Sequence, residues 1–201
     1  MQRTLSTLGL GLALALAAVA ANATPIKFAA SLSGANEAPP NASAGTGLAI
    51  ITMDDDANTM RVQVSFSGLT GTTTMSHVHC CTAVPHTGTV SVATELPSFT
   101  GFPIGVTSGS YDHTFDTSLA ATWNPSFLSG AGGTPELAED KFIAGLLAGT
   151  AYLNIHTTFV PAGEIRGFPA LVPAPEPGSL ALLATGLLGL VVRRRRGSAS
   201  A

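Results

Sequence analysis

Apolar and polar side chains alternate in short runs along most of the chain. IKFAASLS (26–33), TGLAIITM (46–53), TMRVQVSF (59–66), TGTVSVAT (87–94) and SGSYDHTFD (108–116) each show a period of two. That is the pattern of a strand with one face in a core and one in water. In Arg61–Phe66 the two valines and Phe66 face one way and the polar residues the other. AYLNIHTTF (151–159) and GEIRGFPA (163–170) read as the last strands, and Asp54–Asn58 between two runs reads as a hairpin turn. PELAEDKFIAGLLAGT (135–150) breaks the period, because Leu137, Ile143, Leu146 and Leu147 fall near helical spacing. Thr134 stands as its N-cap, Pro135 at its first position and Gly149 at its close. Many short strands, Gly-rich turns and one helix crossing between the last strands predict an all-β sandwich.

The two ends follow other rules. Arg3 precedes an uncharged run from Leu5 to Ala21, and Ala21-Asn22-Ala23 puts small residues where a signal peptidase reads. A secretory signal peptide over 1–23 is expected, cut after Ala23. Residues 173–201 hold a Pro-rich linker with Pro175-Glu176-Pro177, an apolar stretch from Leu180 to Val192, and Arg193, Arg194, Arg195 and Arg196. The stretch is shorter than the ~20 residues of an ordinary spanning helix, and the arginines belong on the cytoplasmic side. Motif, short hydrophobic helix and basic cluster together resemble a PEP-CTERM sorting signal. The resemblance implies an exosortase that cuts near the Pro-Glu-Pro, so that the tail is a processing address. It also implies a Gram-negative bacterium with exopolysaccharide or matrix components as partners. The expected path runs across the inner membrane, through a transiently membrane-anchored precursor, to the cell surface or the extracellular space. A simple C-terminal anchor is the other reading, and both put residues 24–172 outside the inner membrane.

Those residues are the usual size of one domain. Lys27, Arg61, Lys141 and Arg166 face eleven acids, a formal charge of −7, which argues against nucleic acid or anionic lipid as partner. The two cysteines are neighbours, Cys80 and Cys81. Adjacent Cα atoms lie ~3.8 Å apart, below the usual disulfide range.

Candidate chemistry centres on SHVHCCTAVPH (76–86). On a strand His77 and His79 share a face, Val78 and Cys80 take the other, and Cys81 joins the histidines if the strand continues. This segment, the opening SGANEAPPNASAGTGLAII (33–51), the late YLNIHT (152–157) and GEIRG (163–167) resemble the CHRD domain, named after chordin. The resemblance implies an immunoglobulin-like β-sandwich and an extracellular binding or structural module. It makes both histidine strands core elements, bringing His156 towards His77 and His79. Three neutral imidazoles, with Cys81 or Cys80 as thiolate, would hold Zn or Cu. Equally, buried histidines can serve structure by donating at one ring nitrogen and accepting at the other. For the cysteines, metal ligation, a rare vicinal disulfide and plain burial all stand. His-Val-His also resembles the copper strand of Cu/Zn superoxide dismutases, although that family's bridging histidine, remaining ligands and arginine pattern are not recognisable.

Other features carry less. Asp54, Asp56 and Asn58 open like a calcium loop, but Thr59 and Ser65 occupy the positions that need glycine and an acid. His86 and His113 stand in turn-like or exposed contexts. Glu164 and Arg166 alternate on one strand and so share a face. No nucleophile elbow, phosphate loop or zinc-protease helix motif is present. The expected function is therefore an exported, surface-sorted CHRD-domain binding or structural protein and not an enzyme. The alternatives are a metal-binding protein built on His77, His79 and His156 and, after it, a metal-dependent redox enzyme.

Overall fold

The computed structural model describes residues 24–173; the signal-cleavage residues and the sorting tail from 174 onward lie outside the described residues. Within them the alternating runs fold where their periods place them. β1 (Ile26–Ser33), β2 (Thr46–Asp54) and β3 (Thr59–Ser67) form an antiparallel meander. Its register sets Phe28 opposite Ile51 and Ala30 opposite Ala49, and Ala49, Ile51 and Met53 opposite Val64, Val62 and Met60; Leu32 and Phe66 flank Gly47 on the same face, and all these side chains are buried. The β2–β3 turn closes at Asn58, whose φ of 51° suits a short polar side chain. Asp54 Oδ1 accepts there from the Ala57 N–H at 3.1 Å.

Five more strands complete one sheet: β4 (Thr73–His79), β5 (Gly109–Asp116), β6 (Tyr152–Thr157), β7 (Ile165–Gly167) and β8 (Ala170–Leu171). Every pairing is antiparallel, the order is β4-β6-β7-β1-β2-β3-β5, and β8 lies beside β1. The sheet curls into a half-barrel that carries helices, which fits the expected all-β, sandwich-like fold with a crossing helix.

Two helices connect β5 to β6, where one was expected. α2 (Pro135–Leu147) starts as its sequence dictates, with Thr134 Oγ1 accepting from the Leu137 N–H at 3.3 Å, and Gly149 follows its end with φ +68°. The additional α1 (Pro125–Ala131) is capped by Asn124, whose side chain accepts from Ser126 N–H at 2.9 Å. Phe127, Phe142 and Leu146 from the helices pack with Trp123 into the curl of the sheet.

The run 87–94, expected as a strand, forms only isolated bridges at Val92 and Thr94. Its polar groups are used elsewhere. Residues 91–106 follow the outer edge of β4, where Ala93 N–H donates to Val78 O at 2.8 Å and Phe99 N–H to Ser76 O at 2.9 Å. Thr94 Oγ1 accepts from Val78 N–H at 3.0 Å, and Gly105 N–H donates to Thr73 O at 2.8 Å. The segment thus satisfies β4's outward backbone groups without becoming a regular strand.

Candidate metal centre

β4 and β6 are neighbours, with His77 opposite Asn154, His79 opposite Tyr152 and Met75 opposite His156. Period two sends Ser76, Val78, Leu153 and Ile155 to the core and Met75, His77, His79, Tyr152, Asn154 and His156 to the other side of the sheet. Elsewhere that side meets water. Here it is roofed, so that every residue of β6 is buried. Glu37 Oε1 accepts from Asn154 Nδ2 at 2.9 Å. Arg166, opposite Asn154 on β7, donates from Nε to Asn36 O and from Nη1 to Gly88 O at 2.8 Å. The β1–β2 segment and the chain near residues 88–90 therefore form a lid over the two histidine strands.

The lid and a nearby turn also fix the imidazoles. The carbonyl of Val90 lies 2.7 Å from His79 Nδ1, and that of Pro161 lies 2.8 Å from His156 Nδ1. A carbonyl can only accept, so each Nδ1 carries the proton and each Nε2 presents a bare lone pair. Both Nε2 atoms, and Nδ1 of His77, are buried without a partner. These three rings offer ligand atoms that all lie within 4.8 Å of one another. Among the described residues no other group of His, Cys, Asp or Glu converges in this way. Burial lowers the His77 pKa to about 3, helped by His79 and His156. Burial also lowers His79 to about 4 against the Val90 carbonyl, with His156 and Arg166 adding to the shift. His156 is lowered by burial as well. At neutral pH all three are uncharged, the form that binds metal.

The family model for the CHRD domain matches residues 28–168. The chain belongs to the CHRD family. A second model, for the PEP-CTERM protein-sorting motif, matches residues 173–196, the stretch with Pro175, Glu176, Pro177 and the four arginines. The CHRD domain with this motif marks an exported, surface-sorted protein, and the motif implies processing by an exosortase. No curated protein and no solved structure matches the chain. Among the described residues no helix is long and apolar enough to cross a membrane, and the apolar stretch 180–192 lies outside them.

Within the CHRD domain the structure corrects one part of the expected ligand set. Cys80 and Cys81 are joined to each other in a disulfide, so neither offers a thiolate. Both sulfurs press against Gly145 of α2, where any side chain would collide with them. The cysteines therefore dock the end of β4 onto the helix and leave the ligand set to the histidines.

The remaining candidates separate as well. Glu164 does not pair with Arg166. It is caged by the hydroxyls of Ser43 and Thr157, each at 2.5 Å, and by the N–H groups of Thr70 at 2.6 Å and Gly71 at 3.1 Å. Burial pushes its pKa up, but these four donors outweigh it and hold the pKa below the ordinary carboxylate value. Arg166 instead lies 3.8 Å from Glu37 and stacks over Tyr152, its guanidinium carbon 4.7 Å from the ring centre. His86 stacks edge-on with Phe168, and His113 packs between Tyr111 and Phe115. Residues 54–58 form the hairpin turn. Sequence reasoning missed Glu37, which burial raises to a pKa of about 7 against the opposing charge of Arg166. A loop acid carries no periodic signal, and its place in the NEAPP segment was the one available pointer.

Proposed function

We propose that this exported CHRD-domain protein is a metal-binding protein of the cell surface, holding one zinc or copper ion on His77 Nδ1, His79 Nε2 and His156 Nε2. The observation that carries the reading is the convergence of three buried, unpartnered ring nitrogens. A structural histidine uses both nitrogens, and each buried polar atom left unpaired costs about 1–3 kcal/mol. Three such atoms facing one point make a costly core and a good ligand set. The Val90 and Pro161 carbonyls act as the outer partners that orient metal-binding imidazoles. Binding, not catalysis, is the proposed role, and the rest of the surface is free to meet matrix components.

The test is elemental analysis of the exported protein after dialysis against Zn²⁺ and Cu²⁺. About one equivalent is expected, falling close to zero in His77→Ala and His156→Ala variants that keep the wild-type circular dichroism spectrum. A folded wild-type protein that retains no metal would return the histidines to a structural role. Superoxide consumption by the metallated protein, absent from the metal-free form, would move the protein to the redox-enzyme class.

A further inference from the structure

Far from the histidines, an apolar groove of about 690 Å³ lies where the described chain begins and ends. Pro25 and Ile26 line it at the start of β1, Leu147 at the end of α2, and Leu171, Val172 and Pro173 at and after β8. β8 holds these segments together, since Leu171 sits opposite Phe28 and Val172 N–H donates to Lys27 O at 2.8 Å. Leu147, Leu171 and Val172 leave 55%, 54% and 36% of their surface in water. Exposed apolar side chains gathered in one groove mark a place of contact. Among the described residues of the lining Lys27 alone is charged. The acidity that sets the domain as a whole against anionic lipid is therefore missing from this spot.

The length of the chain beyond the groove points to what covers it. Six residues, 174–179, join Pro173 to Leu180, where the apolar stretch of the sorting motif begins. Fully extended, that link spans at most about 25 Å, whereas a domain of this size is roughly 40 Å across. While the stretch is held in a membrane, the groove stays close to it and the far end of the domain cannot be turned towards it. A tether this short gives an effective concentration on the order of millimolar, at which a contact of few side chains is populated.

We propose that this groove seats on the outer leaflet of the membrane that anchors the tail, giving the precursor a second, reversible hold. Leu147, Leu171 and Val172 enter the boundary between headgroups and acyl chains, and Lys27 meets anionic headgroups. Three such side chains hold a tethered domain but not a free one, so loss of the tail releases the seat. Seating also orients the protein. Ser33, at the end of β1 remote from Ile26, pairs with Arg166, which pairs with Asn154 beside His77. The histidine strands therefore lie roughly 20 Å along the sheet from the groove and face away from the bilayer.

The experiment places the full chain in vesicles of phosphatidylethanolamine and phosphatidylglycerol, with and without bromine on the acyl chains. Leu171→Trp and Leu147→Trp report on the groove independently of each other, so one variant that misfolds leaves the other. Phe159→Trp, exposed beyond the outer end of β6, reports on the far end. Wild-type emission from the buried Trp123 is the baseline. Bromine should quench the groove tryptophans several-fold more than the one at 159, and removal of the tail should abolish the difference. Equal quenching at both ends, or groove tryptophans open to aqueous acrylamide, would overturn the seat. Groove tryptophans shielded from both quenchers would also overturn it and give the groove to residues 180–192 or, where the shielding fades on dilution of the protein in the vesicles, to a second copy.

Discussion

β3 and β6 belong to one sheet and treat their second face in opposite ways. Along β3, Met60, Val62, Val64 and Phe66 are buried while Arg61, Ser65 and Ser67 stand in water. Along β6, Leu153 and Ile155 are buried on the inner side, and Tyr152, Asn154 and His156 are buried on the other. An outer face left wet costs nothing in desolvation, whereas a roofed polar face must satisfy every group it hides. Asn154 donates to Glu37 and Arg166 donates to the Asn36 and Gly88 carbonyls, whereas each of the three histidines keeps one buried ring nitrogen without a partner. The difference places the three converging histidines on the half of the sheet where burial and polarity coincide.

The inner faces should not share this difference. Ile51→Ala on β2 and Ile155→Ala on β6 should each destabilise by about 2–5 kcal/mol in urea melts, because both side chains are fully buried in one core. A markedly smaller loss at Ile155 would mean that the β6 half is only loosely packed. Somewhat smaller, and specific to the roofed half, is the effect of Glu164→Ala. It strands the Thr70 and Gly71 N–H groups and two hydroxyls, and should cost about 2–4 kcal/mol. Protection of the Thr70 and Gly71 amides in hydrogen exchange should fall with it.

Acid gives a milder perturbation confined to the same half. The histidines titrate near 6.5 in the unfolded chain and far lower in the fold, so the unfolded state takes up the protons. Their contribution to the stability of the metal-free protein is full above about pH 6.5 and is lost as pH falls towards 4 and then 3. Urea melts of His77→Ala should show a shallower acid slope. Glu37 works the other way. With its pKa raised to about 7, its contribution is full below about 4.5 and is lost as pH rises through 7. Glu37→Gln should flatten that loss between about pH 4.5 and 7. On the wet half, the exposed pair of Arg61 and Asp112, 2.6 Å apart, serves as the control. Arg61→Ala should leave the melting curve within error of wild type, and a clear shift would show that this face carries more structure than its exposure implies.

The wet half was the readable half. Alternation in 26–33, 46–53 and 59–66 meets a simple hairpin geometry, and the strands end within a residue of those bounds. Period two likewise placed His77 and His79 on one face, and the CHRD resemblance brought His156 to them. What stayed hidden depends on contacts between distant segments. TGTVSVAT alternates like a strand, yet its groups are spent on the irregular edge of β4. α1 buries only Phe127 and carries a glycine, too little for a helical period to show. The fate of Cys80 and Cys81 turned on the approach of Gly145 from a helix more than sixty residues away, and local spacing holds no trace of it.

The segment that runs along β4 has a consequence for a protein displayed on a cell surface. An uncovered strand at the end of a sheet invites the same strand of the next molecule, and at the crowding of an envelope such meetings are frequent. Here the chain occupies its own template, from Thr73 to Cys80, before any neighbour can reach it. On this side a second copy finds no free strand edge to extend, so the surface that faces a neighbour is side chain and turn rather than open backbone.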